Sequence, residues 1–195
     1  MRFLVIVAAI IVVATPVMAD QVTDSIDKAK SLYEQGKYYK AVNELNFVVG
    51  LIQDKQVDKF KALLPAPPKG WTAEEAQGAR AGGQLIGGGI SVSRIYHSSD
   101  GQEVKVEMIT DSPLLSSVMM LLTNPLITSS GRLVVINGEK GIEEWNPQER
   151  SGQLQIVLQN RMLITISGTN IKSKSILYDF AKGLDFTKIK KAMEE

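Results

Sequence analysis

Apolar positions along this chain keep two periods, and the change from one to the other divides it. Between residues 22 and 60 they recur at three- and four-residue steps, the spacing of helices with one apolar face. Val22, Ile26, Ala29, Leu32 and Tyr33 fit a first helix, and Gly36 suits the left-handed position that ends one. Tyr38, Ala41, Val42, Leu45, Val48, Val49, Ile52 and Val57 carry a second helix to Phe60. From Ile90 the period falls to two, the mark of half-buried strands. Ile90, Val92, Arg94 and Tyr96 share one face of an extended run ending near His97, and Ser98-Ser-Asp100-Gly101 predicts the turn into a strand with Val104, Val106 and Met108. Strands are expected again from Leu133 to Ile136 and from Lys140 to Trp145. Leu154 to Leu158 and Met162 to Ile166 flank a tight link at Asn160-Arg161 and read as a hairpin.

Helices punctuate these strands. Asp111-Ser112-Pro113 predicts a helix start, with proline at the first turn, and the helix runs to about Thr123. Ile176, Leu177, Phe180 and Ala181 mark a helix closed by Gly183, and Asp185 caps a last one over 186–193. Leu63-Leu-Pro65-Ala-Pro67-Pro68-Lys-Gly70 is a proline-rich connector, since proline fixes extended backbone and removes donors. Thr72 with Glu75 three residues on fits a capping box and predicts a short helix to about Ala81. The fold class is therefore α+β: an N-terminal antiparallel helical hairpin (20–62), a linker (63–70), and an antiparallel sheet packed with helices (71–195).

Residues 1–19 stand apart. Arg2 precedes an unbroken apolar run from Phe3 to Ala14, and Val17-Met18-Ala19 makes a small-residue exit, the pattern of a secretory signal peptide cleaved after Ala19. The run is about a dozen residues against roughly 20 for a membrane-spanning helix, so no stable span is expected after cleavage. The sequence thus predicts an exported, periplasmic protein. It holds no cysteine, which excludes a lipidated N-terminus and any disulfide. The chain carries 22 basic and 21 acidic residues; only Arg2 leaves with the leader, so the remainder is balanced. Interspersed charge of zero sum gives no footprint for nucleic acid.

Two segments carry resemblances. Ala29-Lys-Ser-Leu-Tyr33-Glu-Gln-Gly36-Lys-Tyr38-Tyr-Lys-Ala41 resembles the middle of a tetratricopeptide repeat, with an aromatic before the turn, the glycine, and a small residue after it. It covers about one repeat, where a solenoid needs about three. The order of elements over 70–190 resembles the Mog1/PsbP-like class, which includes small exported bacterial proteins. That resemblance implies binding or assembly work more than catalysis, and it rests on element order without a motif.

Chemistry-bearing residues are few. His97 is the only histidine; Ser98, Ser99, Asp100 and Asp111 lie near it in sequence, but hairpin neighbours do not converge into a relay and no Gly-x-Ser-x-Gly elbow is present. With no cysteine, one histidine and no D-x-D-x-D-G loop, no metal and no cofactor is expected. Gly87-Gly88-Gly89 leads into a strand where a phosphate cradle needs a helix start, so it reads as a hinge or a closely approached backbone. Glu143 and Glu144 are adjacent on a strand and point to opposite faces, a poor carboxylate pair. Glu74 and Glu75 are explained by the positive end of the short helix expected there.

The segment Leu114-Leu-Ser-Ser-Val-Met119-Met120-Leu-Leu122 is a helix without charge, apolar nearly all round. Such a helix is buried on most sides or presents an adaptable apolar surface. Leu115, Met119 and Leu122, with the following Asn124-Pro125-Leu126-Ile127 loop, form the candidate binding surface, one wall of a groove expected between the hairpin and the sheet domain for another envelope protein or an apolar ligand. The function expected is non-catalytic binding or assembly. The alternatives are a small hydrolase-like enzyme with a carboxylate or serine site, and a structural oligomer assembled through the helical hairpin.

Overall fold

The structure, a computed structural model, describes residues 20–81, 89–123 and 131–194. The chain separates into two compact units between Val48 and Val49, whereas the sequence places the break at the proline-rich 63–70. The first unit holds α1 (Gln21–Glu34) and the start of α2 (Tyr38–Lys61). Asp20 caps α1 by accepting from the Val22 amide at 3.4 Å, and Gly36, at φ +72°, makes the left-handed turn its position calls for. Small residues let the two helices approach: Ser25, Ala29, Ala41 and Val48 are buried, and Lys28 pairs with Glu44 at 2.7 Å beside them.

The second unit begins inside α2, because the C-terminal turns of that helix are core. Val57, Phe60 and Leu64 are buried against a sheet of β1 (Trp71–Ala73), β2 (Gln77–Ala81), β3 (Gly89–Ser98), β4 (Glu103–Thr110), β5 (Arg132–Ile136), β6 (Glu139–Asn146), β7 (Ser151–Leu158) and β8 (Met162–Thr169). Pro65 is also buried, and its carbonyl accepts from the Tyr96 hydroxyl at 2.7 Å, so this proline-rich stretch is packed. All pairings are antiparallel, in the order β1-β3-β4-β8-β7-β6-β5, with β2 pairing β3 on the β1 side. The period-two pattern sets the register. Val92 opposes Met108, Val106 opposes Ile166, and Leu154 opposes Ile166 from the other side, so one sheet face is continuous apolar core. Helices α4 (Ser175–Lys182) and α5 (Phe186–Glu194) complete that core through Leu177, Phe180, Ala181, Phe186 and Ile189. Phe180 meets Trp71 and Tyr96 edge-on, at ring separations of 5.1 and 4.8 Å. The opposite face carries α3 (Leu114–Thr123) at one end only.

Two local expectations are corrected. Residues 72–81 form the end of β1, a three-residue link and β2, not a helix: Thr72 opposes His97 and its hydroxyl donates to the His97 carbonyl at 3.3 Å, while Gly78 opposes Val92. A ten-residue β3 offers enough free edge to override a four-residue capping signal. The last hairpin turns one position earlier than Asn160-Arg161. Gln159 and Asn160 take φ of +49° and +54°, and the Arg161 amide donates to the Leu158 carbonyl at 3.0 Å. Helix α3 starts where Asp111-Ser112-Pro113 predicts: the Ser112 hydroxyl accepts from the Leu114 amide at 3.2 Å, and Asp111 bonds to Arg161. Of the glycine run, 82–88 lie outside the described residues. Gly89 is a closely approached backbone: a Cβ there would sit 2.1 Å from the Thr110 carbonyl oxygen.

Candidate binding surface

Helix α3 divides its apolar residues between two jobs. Leu115, only 6% exposed, and Val118 pack on Ile142 of β6, Val157 of β7 and Leu163 of β8. Met119, Leu121 and Leu122 are half-buried around that small cluster. Leu114 and Met120 stay outside it, Met120 at 55% exposure. The expected surface of Leu115, Met119 and Leu122 is thus split. Leu115 is packing, while Met119 and Leu122 reach the surface; the expected Asn124–Ile127 contribution lies outside the described residues.

Strand β5 supplies the other half. It ends the sheet, and among the described residues no strand pairs its outer side. Alternation sends Val134 and Ile136 toward the main core and Leu133 and Val135 toward the α3 face, where Leu133 opposes Ile142. Val135 is 70% exposed, the highest value among the described large apolar residues of this unit. Leu122 stands between two depressions. One, of about 220 Å³, is lined by Leu122, Leu133, Val134, Val135, Lys140 and Gly141. The other, of about 430 Å³, includes Met119, Leu122, Val157 and Asn160 and is rimmed by Glu139 and Lys190, which pair with each other. The result is an apolar corner where an exposed helix end meets an exposed strand edge.

The candidate chemistry elsewhere does not assemble. His97 Nε2 lies 2.8 Å from Glu74 in the β1–β2 link, and Nδ1 lies 3.8 Å from Glu103 at the start of β4. Ser98 Oγ instead accepts from the Gln102 amide at 3.1 Å, Asp100 pairs with Lys172, and Asp111 pairs with Arg161 at 3.2 Å. The Lys172 ammonium, by hydrogen bond and charge, holds the Asp100 carboxyl below the usual carboxylate range. Glu144 accepts from Gln153 at 3.1 Å. No group of three His, Cys, Asp or Glu suited to a metal occurs among the described residues.

One cluster escaped the sequence reading. Glu143 is 5% exposed and faces the core side, opposite to Ile142. It accepts from Lys174 Nζ at 2.8 Å and from the Tyr178 hydroxyl at 2.5 Å. Burial alone would raise its pKa, but the hydrogen bonds from Lys174 and Tyr178 and the charges of Lys174 and Arg132 hold it below the ordinary value. Burial, then the hydrogen bond to Glu143 and its charge, push Tyr178 up to about 12. These groups are saturated by each other and tie α4 to β6, so they anchor the fold. Only the strand period could have placed Glu143 on the core side; its partners lie about thirty residues away and carry no local signal.

A further cavity of about 280 Å³ lies between α2, α5 and the β3–β4 end, with Ile52, Phe60, Ile90 and Met193 in its wall. Arg161 and Asp111 stand on its lining already bonded to one another. Among the described residues no helix is long and apolar enough to cross a membrane. No protein-family model matches the chain, and neither a curated protein nor a solved structure is detectably similar to it.

Proposed function

We propose that this chain is a non-catalytic binding or assembly accessory protein of the cell envelope, exported by its leader. It takes an apolar, extended segment of a protein partner at the α3–β5 corner. The observation that carries the reading is that Leu122, on the helix that exposes Met120, lines one depression with Leu133, Val134 and Val135 of the exposed apolar strand β5 at the end of the sheet. A free edge offers backbone donors and acceptors to an added strand, and adjacent depressions take its alternate side chains. Methionine and leucine around Leu122 give a wall that adapts to differing side chains. The export half of the reading rests on residues 1–19.

The test is site-specific photo-crosslinking in cells, with the reactive group placed at Val135 and, as a control, at exposed Glu149 on another turn. The expected outcome is one discrete protein adduct at Val135 that disappears when Met120 is changed to Asp. Adducts of equal yield from both positions, or an adduct indifferent to Met120→Asp, contradict the reading.

A further inference from the structure

A second apolar surface lies on the helical hairpin. At 3.6 residues per turn, Lys28 and Glu44 flank the packed Ser25/Ala29 and Ala41/Val48 positions on one side of the hairpin, where they pair. Ile26 and Tyr33 of α1 and Tyr38, Val42 and Leu45 of α2 fall on the opposite side. All five are exposed, Tyr33 by 65% and Tyr38 by 62%, and these two rings meet at 5.6 Å across the turn. One flank of the hairpin is therefore charged and the other apolar.

We infer that the apolar flank is the seat of a second copy of this chain, the two hairpins closing face to face into a four-helix bundle. Three observations favour that occupant. Within the first unit only Ser25, Ala29, Ala41 and Val48 are buried, a thin core to which a second pair of helices adds a layer. The five side chains expose on the order of 500 Å² of apolar surface. With a polar rim that approaches the roughly 800 Å² per partner of a stable interface. The flank is also compatible with itself in charge. A two-fold axis parallel to the helices lays α1 of each copy along α2 of the other and keeps the level set by the Lys28–Glu44 and Tyr33–Tyr38 pairs, so Ile26 comes opposite Leu45. The marginal Lys30 of each copy then falls against the uncharged Asn43 and Asn46 side of the other, so no like charges meet.

Sedimentation equilibrium on the chain purified as the cell makes it tests this. The expected mass is twice that of one chain, halved by Val42→Glu with Leu45→Glu, and unchanged by Phe47→Glu. Phe47 is exposed as well but lies off this flank. A single-chain mass for the unaltered protein, a doubled mass in the flank variant, or halving by Phe47→Glu each overturns the inference. Should the flank variant lose its helical circular dichroism, disulfide trapping decides. The chain has no cysteine of its own. Mixed I26C and L45C chains are expected to form the mixed disulfide in several-fold excess over either self-pair, and a statistical mixture overturns the inference.

Discussion

The two edges of the sheet are built from opposite materials. On one, β3 is covered by two short pieces, β1 and β2, with a break between them. Apart from Trp71, which packs on Phe180, the residues there are polar or small, among them Thr72, Gln77 and Gly78, and Arg80 is paired to Asp54 at 3.3 Å. Short, interrupted and charged strands are how proteins blunt an edge against unwanted pairing. On the other, β5 reads Arg-Leu-Val-Val-Ile and leaves Leu133 and Val135 exposed beside an uncharged helix. The chain thus protects one edge and leaves the other apolar, and that asymmetry is the basis for placing a partner at β5.

The two faces repeat the lesson. The core face buries Val92, Val104, Val106, Leu154, Ile156, Ile164 and Ile166 under α2, α4 and α5, while α3 covers only the Ile142/Val157/Leu163 end of the other. Truncations are therefore expected to differ in cost. Phe180→Ala, in the large core, is expected to lower stability by about 3–5 kcal/mol, read by urea unfolding. Leu115→Ala, in the small cluster, is expected to cost about 2 kcal/mol, the lower end for its type, because one side of that cluster is thinly covered. Equal losses would mean that α3 is as enclosed as α4, and would remove the distinction between the faces.

The Glu143 anchor gives the next effect. Glu143→Gln is expected to cost about 1 kcal/mol, since Lys174 is part-exposed and its pairing is screened. Because the folded pKa of Glu143 lies below its ordinary 4.5, its contribution is present above about that pH and is lost as pH falls through the lowered folded value. The unaltered chain should lose this increment in acid while Glu143→Gln does not. At the alkaline end the sign reverses: Tyr178, raised from 10.0 to about 12, stabilises the fold below pH 10 and loses that contribution between those values. A tyrosinate absorbance titration should show Tyr178 titrating lower in the Glu143→Gln variant. No movement would mean that burial alone sets it.

The smallest expected effect on stability is at the proposed surface itself. Val135→Lys should change unfolding free energy by less than about 0.5 kcal/mol, because an exposed side chain has no core contact to lose. A larger loss would show Val135 to be covered.

Much of this architecture was legible in the order of periods and breakers. The two N-terminal helices, the α+β class, the Gly183 closure of α4 and the Asp185 cap of α5, 3.0 Å from the Lys188 amide, all follow from local spacing. The helix expected after Thr72 failed because a capping box is a local preference, whereas β3 offered a whole edge. The candidate site was half legible. An uncharged Met-rich helix is visible in sequence, and it drew attention to Met119 and Leu122. Which of its residues face the sheet depends on where the helix sits along the strands, so Leu115 was not separable from them. Leu133 and Val135 were read as ordinary strand residues, because strand order, and hence the free edge, is set by pairings such as β4 with β8 across more than fifty residues.

The most direct measurement is hydrogen exchange by mass spectrometry, with and without a probe peptide of alternating valine and threonine long enough to form one strand. Saturable slowing of amide exchange is expected over 132–136 and none over 71–81, and Val135→Lys is expected to abolish it. Slowing at the 71–81 edge, or no slowing at either, would contradict a partner site at β5.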